Sequence, residues 1–208
     1  MNVQVVRMAE PERGFLGRLI DRFRPRQDVG RDVARWQAEL SRRAGVPVSW
    51  DDDPNREYFT DKPAWDCYGA LLLWAAYEER GATKYPETAE KWEENPIFGS
   101  LAGKADSKYC QLLGNTEIWV PAKIHLPMTV PALAGDSAVV GSVNLLADQL
   151  RALNEATWKA GEETLSQWRQ EGAEHGAPLE TSARFGFAVF SELAALAVQH
   201  RLPMKLDY

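Results

Sequence analysis

The stretch from Trp65 to Tyr77 is apolar nearly all the way round a helix. With 62–80 read as one helix, Trp65, Tyr68, Leu72, Ala75 and Ala76 fall on one side, and Leu71 and Trp74 lie beside them. Such a helix has almost no face to give to water, so it must be enclosed by other elements. The chain must therefore supply packing partners on several sides.

Those partners are legible as amphipathic stripes. Val29, Val33, Trp36 and Leu40 recur at helical spacing over 28–44, and Gly45 closes that helix. Val143, Leu146, Leu150 and Leu153 mark a long helix opened by Ser142, extending to about residue 173 with Gly161 as its weak point. Phe185, Val189, Leu193 and Leu196 line a last helix over 182–200, with Thr181 or Ser182 as its cap. Asp61 is expected to cap the 62–80 helix, with Pro63 in its first turn. A short acidic helix is expected over 86–94, ended by Pro96, and another near 105–113.

Between 116 and 131 the character changes. Ile118, Val120, Ile124 and Val130 are β-branched, but Pro121, Pro127 and Pro131 interrupt them. Proline cannot donate to a ladder, so this segment is expected at a sheet edge or as an extended crossing, not as a central strand. The expected fold is mainly α, a single domain over 1–208 with one short central β or extended element. Residues 1–26 are read as a basic amphipathic helix or arm packed on it, the helix over 11–26 carrying Phe15, Leu19 and Phe23 on one stripe and arginines on the flanks.

Charge is sorted along the chain. Residues 1–45 hold ten arginines, no lysine and six acids, whereas residues 46–208 hold 14 basic and 24 acidic residues, for −6 overall. The basic head could dock on its own acidic body, on an acidic partner or on an anionic surface, and the acidic body argues against nucleic acid. No apolar run approaches the length of a membrane span, so no membrane partner is expected and the protein is expected to be cytoplasmic. Cys67 and Cys110 match no metal or redox spacing and read as reduced core residues.

Candidate chemistry is sparse. Asp51, Asp52, Asp53, Asn55 and Glu57 offer oxygens as a calcium loop would, but Arg56 stands where that turn needs glycine and Lys62 where it needs glutamate. Glu171 and His175 share a helical face without a further ligand nearby. No metal and no cofactor is therefore expected. His125, with Glu117 and Asp136, is the one compact acid–base set, and it defines the alternative of a small enzyme. No nucleophile elbow, phosphate loop or dinucleotide fingerprint is present.

Two places put a tryptophan among acids: Trp50 beside Asp51, Asp52, Asp53 and Glu57, and Trp92 within Glu90, Glu93 and Glu94. Interfaces enrich tryptophan, and a carboxylate ring suits a basic partner. An acidic, tryptophan-rich, mostly helical chain of this kind resembles, in general character, a bacterial toxin-immunity protein. That resemblance implies neutralisation of a cognate toxin by occlusion of its active site with an acidic surface, and so a protein-binding role without catalysis. A third reading is an adaptor that joins an assembly through the arginine-rich helix at 11–26.

Overall fold

The computed structural model describes residues 2–5, 26–53, 59–61, 63–133 and 136–207. Helix α1 runs Arg26–Ala44, α2 Trp65–Glu79, α3 Pro96–Leu101, α4 Cys110–Leu113, α5 Val143–Ala156, α6 Glu162–Glu171 and α7 Leu179–His200. Strands β1 Asn2–Val5, β2 Phe59–Asp61, β3 Ile118–Val120, β4 Met128–Val130, β5 Ala138–Ser142 and β6 Met204–Asp207 complete it. The chain is mainly helical, with a small sheet. The predicted helix at 11–26 lies mostly outside the described residues.

The six strands form one sheet in the order β2-β1-β6-β3-β5-β4. β3 pairs parallel with β5, and the other neighbours pair antiparallel. The edge assignment for 116–131 is thus corrected in part. β4, reached after Pro127, is the edge strand, but β3 lies inside the sheet between β5 and β6. Three proline-free residues ahead of Pro121 suffice for an interior strand, because both neighbours need only three rungs or fewer from it. Leu206 and Asp207 belong to β6, and β1 is itself an interior strand.

Side-chain alternation along β3 divides the molecule into two cores. Ile118 and Val120 join Val140, Trp36, Leu40, Val48 and Trp50 beneath α1. Trp119 points the other way, joining Met204 and Leu206 against α2, α5 and α7. The sheet is therefore covered by one helix on one face and a helical layer on the other.

α2 sits at the centre of that layer, as its all-round apolarity requires: Ala70, Leu71, Ala75 and Ala76 are fully buried. It crosses α7 closely, since a Cβ on Gly186 would lie 2.4 Å from the Cys67 carbonyl oxygen. α7 is long and apolar enough to cross a membrane, with a mean hydropathy of 1.3, but 56 % of that window is buried inside the fold. It is built as a core helix.

Several boundaries differ from expectation. Asp61 ends β2 instead of capping α2, and its carboxylate accepts a hydrogen bond from Arg169 at 2.8 Å. α7 begins at Leu179 after Pro178, so neither Thr181 nor Ser182 caps it. Ser142 does cap α5, accepting from the Leu145 amide at 3.3 Å. The long helix breaks after Ala156, where Thr157 leaves helical geometry and Lys159 adopts a φ of 51°. Pro96 starts α3 instead of ending a helix, because the Asn95 side chain accepts from the Ile97 and Phe98 amides.

Candidate functional site

The segment 46–53 is an extended strap whose Val48 and Trp50 turn inward. Gln37 donates to the Trp50 carbonyl at 2.9 Å, and Ser41 exchanges hydrogen bonds with the Val48 backbone. Trp50 is only 7 % exposed and meets Trp36 edge-on at 5.8 Å. Asp51 and Asp53 are exposed and Asp52 is half-buried, while Glu57 lies outside the described residues. At this first acidic place the surface is carboxylate and the ring is core.

The second place is built differently. Residues 87–94 form a shelf across the amino-terminal half of α2, ending in a 3-10 turn at Trp92–Glu94. Trp92 is 6 % exposed and wedges into α2 at Gly69, where a Cβ would lie 2.1 Å from its ring. Its ring also meets Phe98 at 5.1 Å and Tyr68 at 5.9 Å. The shelf is pinned at its other end by the Leu179 amide, which donates to the Glu87 carbonyl at 2.8 Å. Burial of Trp92 leaves Glu90, Glu93 and Glu94 facing solvent. None of the three forms an ion pair among the described residues. Trp65, 36 % exposed, supplies the aromatic surface there instead, donating its indole N–H to Glu93 at 2.8 Å. Its position in the core helix concealed this: only the packing against Trp92, at 5.4 Å, turns it outward beside the acids.

Past the Glu87 end of the shelf, an open cleft of about 390 Å³ lies between the carboxy-terminal half of α2, the turn at 81–85, the end of α5 and the first turn of α7. Trp74 stacks on Tyr85 at 4.4 Å and on Trp158 at 5.2 Å, and Tyr85 stacks on Tyr77 at 5.3 Å. Glu78 and Glu180 are the charged residues of its lining. Glu78 is tied up, accepting from Lys108 at 2.9 and 3.0 Å and from the Tyr109 hydroxyl at 2.5 Å. Glu180 uses one oxygen, Oε1, to accept from Arg184 at 2.5 Å and from Trp158 at 3.3 Å. Burial and the charges of Glu78 and Glu180 push the Tyr85 hydroxyl up, so it stays protonated. No sequence pattern marked this cleft, because its parts come from three separate stretches, 74–85, 156–158 and residue 180.

The other candidate residues are not drawn together into a site. His125 and Asp136 are exposed and Glu117 is half-buried. Among the described residues no hydrogen bond or ion pair joins their side chains. His125 contributes its backbone carbonyl, which accepts from Gln111 at 3.1 Å. His175, with a side chain 87 % exposed, pairs through Nδ1 with Asp66 at 2.5 Å, and neither Glu171 nor Glu174 completes a metal set with it. Among the described residues no group of three His, Cys, Asp or Glu side chains is placed to hold a metal ion. Cys67 and Cys110 are buried and free, and burial pushes the Cys67 thiol up to about 11. The chain matches no protein-family model, no curated protein and no solved structure.

Proposed function

We propose that this chain is a protein-binding module without catalytic activity, and that the shelf at 87–94 docks a basic partner. The toxin-immunity resemblance gives that partner a specific form: a secreted toxin whose basic active-site cleft the acidic face covers. A cytoplasmic setting belongs to this reading and accords with two free, buried thiols.

The observation that carries the reading is the shelf's construction. Three exposed carboxylates, none ion-paired among the described residues, stand around Lys91 on a turn fixed by a buried tryptophan. Like charges held close together are unfavourable in an isolated chain, and they become favourable when an opposite surface arrives. Preorganisation lowers the ordering cost of such an encounter. Trp65 at the centre gives the desolvated aromatic contact around which interface energy concentrates.

The test begins with cross-linked capture of a partner from the native host and its separate expression. Association with the full chain is then measured at two ionic strengths. Glu90→Lys with Glu93→Lys is expected to slow association about 10-fold or more at low salt, and the difference should shrink at high salt, where the Debye length falls to about 3 Å. Trp65→Ala is expected to raise the dissociation rate with little salt dependence. A partner that binds both variants like the native chain removes the shelf from the interface.

A further inference from the structure

From the aromatic cleft beside the shelf we infer a second recognition element: a binding site for the guanidinium group of an arginine side chain carried by the basic partner. This rests on the partner-binding reading for the source of the arginine, and on the cleft itself for the chemistry.

Four features of the cleft select a planar cation. First, its lining holds two carboxylates, Glu78 paired with Lys108 and Glu180 paired through one oxygen with Arg184, and no basic residue of its own. Second, Glu180 is engaged only through Oε1, and among the described residues its Oε2 accepts no hydrogen bond. Its side chain is 46 % exposed, within reach of a ligand. Third, the hydroxyl of Tyr85 has no hydrogen-bond partner among the described residues and sits under the influence of both carboxylates. Fourth, the carboxy-terminal ends of α2 and α5, helices of 15 and 14 residues, both border the cleft at Glu78–Ala82 and Ala156–Trp158. Helix carboxy-termini carry partial negative charge and favour cations.

The ligand's own inventory matches. A guanidinium presents five donors in a rigid plane and no acceptor, so it satisfies a carboxylate oxygen and a hydroxyl lone pair together. The stacked rings of Trp74, Tyr85 and Trp158 form a low-polarity wall of the right flatness. Charge pairing against such a wall is stronger than in open water. An ammonium group lacks the planar fork and holds its water more tightly, so lysine suits this wall less well. The cleft adjoins the shelf through Glu87 and Leu179, which places an arginine there within one continuous acidic contact.

The full chain, labelled with nitrogen-15, is titrated with acetyl-Gly-Arg-Gly-amide while the indole N–H resonances are followed. Resonances of Trp74 and Trp158 are assigned by single Trp→Phe variants, and those of Trp36 and Trp50 serve as internal controls. Saturable movement of Trp74 and Trp158 alone is expected, in the millimolar range that about 4 kcal/mol of binding corresponds to. The matching lysine and norleucine peptides should bind at least about 10-fold more weakly, and Glu180→Gln should weaken the arginine peptide about 10-fold, the loss of one charge-assisted pair. Tyr85→Phe, which keeps the stack, should weaken it about 3-fold as a neutral hydrogen bond is lost.

Three results overturn the assignment: immobile Trp74 and Trp158 resonances, equal binding of the lysine peptide, or undiminished binding by Glu180→Gln with its melting curve unchanged. Free L-arginine binding more tightly than the peptide overturns a partner as the source, since a cleft for a protein side chain has no use for free α-groups. Because the titration needs no partner, a chain that binds the arginine peptide yet captures no basic protein separates failure of the partner reading from failure of this one.

Discussion

Gln111 is fully buried, and every polar atom of its side chain is spent on the backbone. Its Nε2 donates to the carbonyls of Ile124 and His125 at 2.9 and 3.1 Å, and its Oε1 accepts from the Ser142 amide at 2.8 Å. One side chain thus ties the proline-rich crossing to the start of α5. Gln111→Ala leaves those groups unpaired in a dry core and opens a cavity, so a loss of about 3–5 kcal/mol is expected from urea unfolding. A loss under about 1 kcal/mol would mean that water replaces the amide. At the surface of α1 the residue scale is electrostatic. Hydrogen bonds from Arg42, then Arg43, hold the Glu39 carboxyl down to about 2. The unfolded value is near 4.5, so whatever the pairs contribute to α1 is present above that value and is lost as pH falls toward 2. A carbon-13 titration of Glu39 with a midpoint near 2 is the expected outcome. A midpoint near 4.5 would show that these exposed pairs do not persist in solution.

At the scale of elements, α2 and the shelf are locked together by the absence of one side chain. Alanine in place of glycine inside a helix ordinarily gains about 1 kcal/mol. At Gly69 the sign reverses, because a Cβ would sit 2.1 Å from Cδ1 of Trp92 and the ring is enclosed by Phe98 and Tyr68. Gly69→Ala is therefore expected to destabilise by about 1–3 kcal/mol, the range of overpacked cores, in thermal or urea melts. In the Trp92→Leu background the same change should cost less or become favourable. A Gly69→Ala protein more stable than the native chain would show that the shelf is loosely held, and would weaken its case as a preorganised surface.

For the whole molecule, the alternation along β3 couples the two cores. Trp119 packs against Phe190 on one face, while Ile118 and Val120 pack beneath α1 on the other. Neither core has a complete sheet face without the strand they share. Unfolding is accordingly expected as one cooperative transition. Far-ultraviolet circular dichroism, which reports mainly the α2, α5 and α7 layer, should coincide with the indole signals of Trp36 and Trp50 beneath α1. Two separated midpoints would mean that α1 and its strap form an independent unit. The acidic contact also belongs to this scale, since the shelf and the cleft are assembled from segments more than 90 residues apart in the chain.

Helical character, the centrality of 65–79, the apolar faces of α1, α5 and α7, the cap at Ser142 and the stop at Gly45 were all legible along the chain. Each rests on periodicity or on local backbone chemistry, which a few neighbouring residues settle. The sequence also grouped the acids of the shelf around Trp92, but it could not say which ring would lie exposed beside them. Whether Trp50, Trp65 or Trp92 faces water depends on which surface each ring can bury itself against. Trp50 finds Trp36, and Trp92 finds the gap at Gly69, leaving Trp65 outermost. Tertiary structure likewise decided that Ile118–Val120 becomes an interior strand, because β5 and β6 arrive on either side of it from later in the chain. The cleft was invisible for the same reason. Its rings and carboxylates are neighbours only after α2, α5 and α7 have packed, and no local pattern encodes a neighbour that distant contacts must supply.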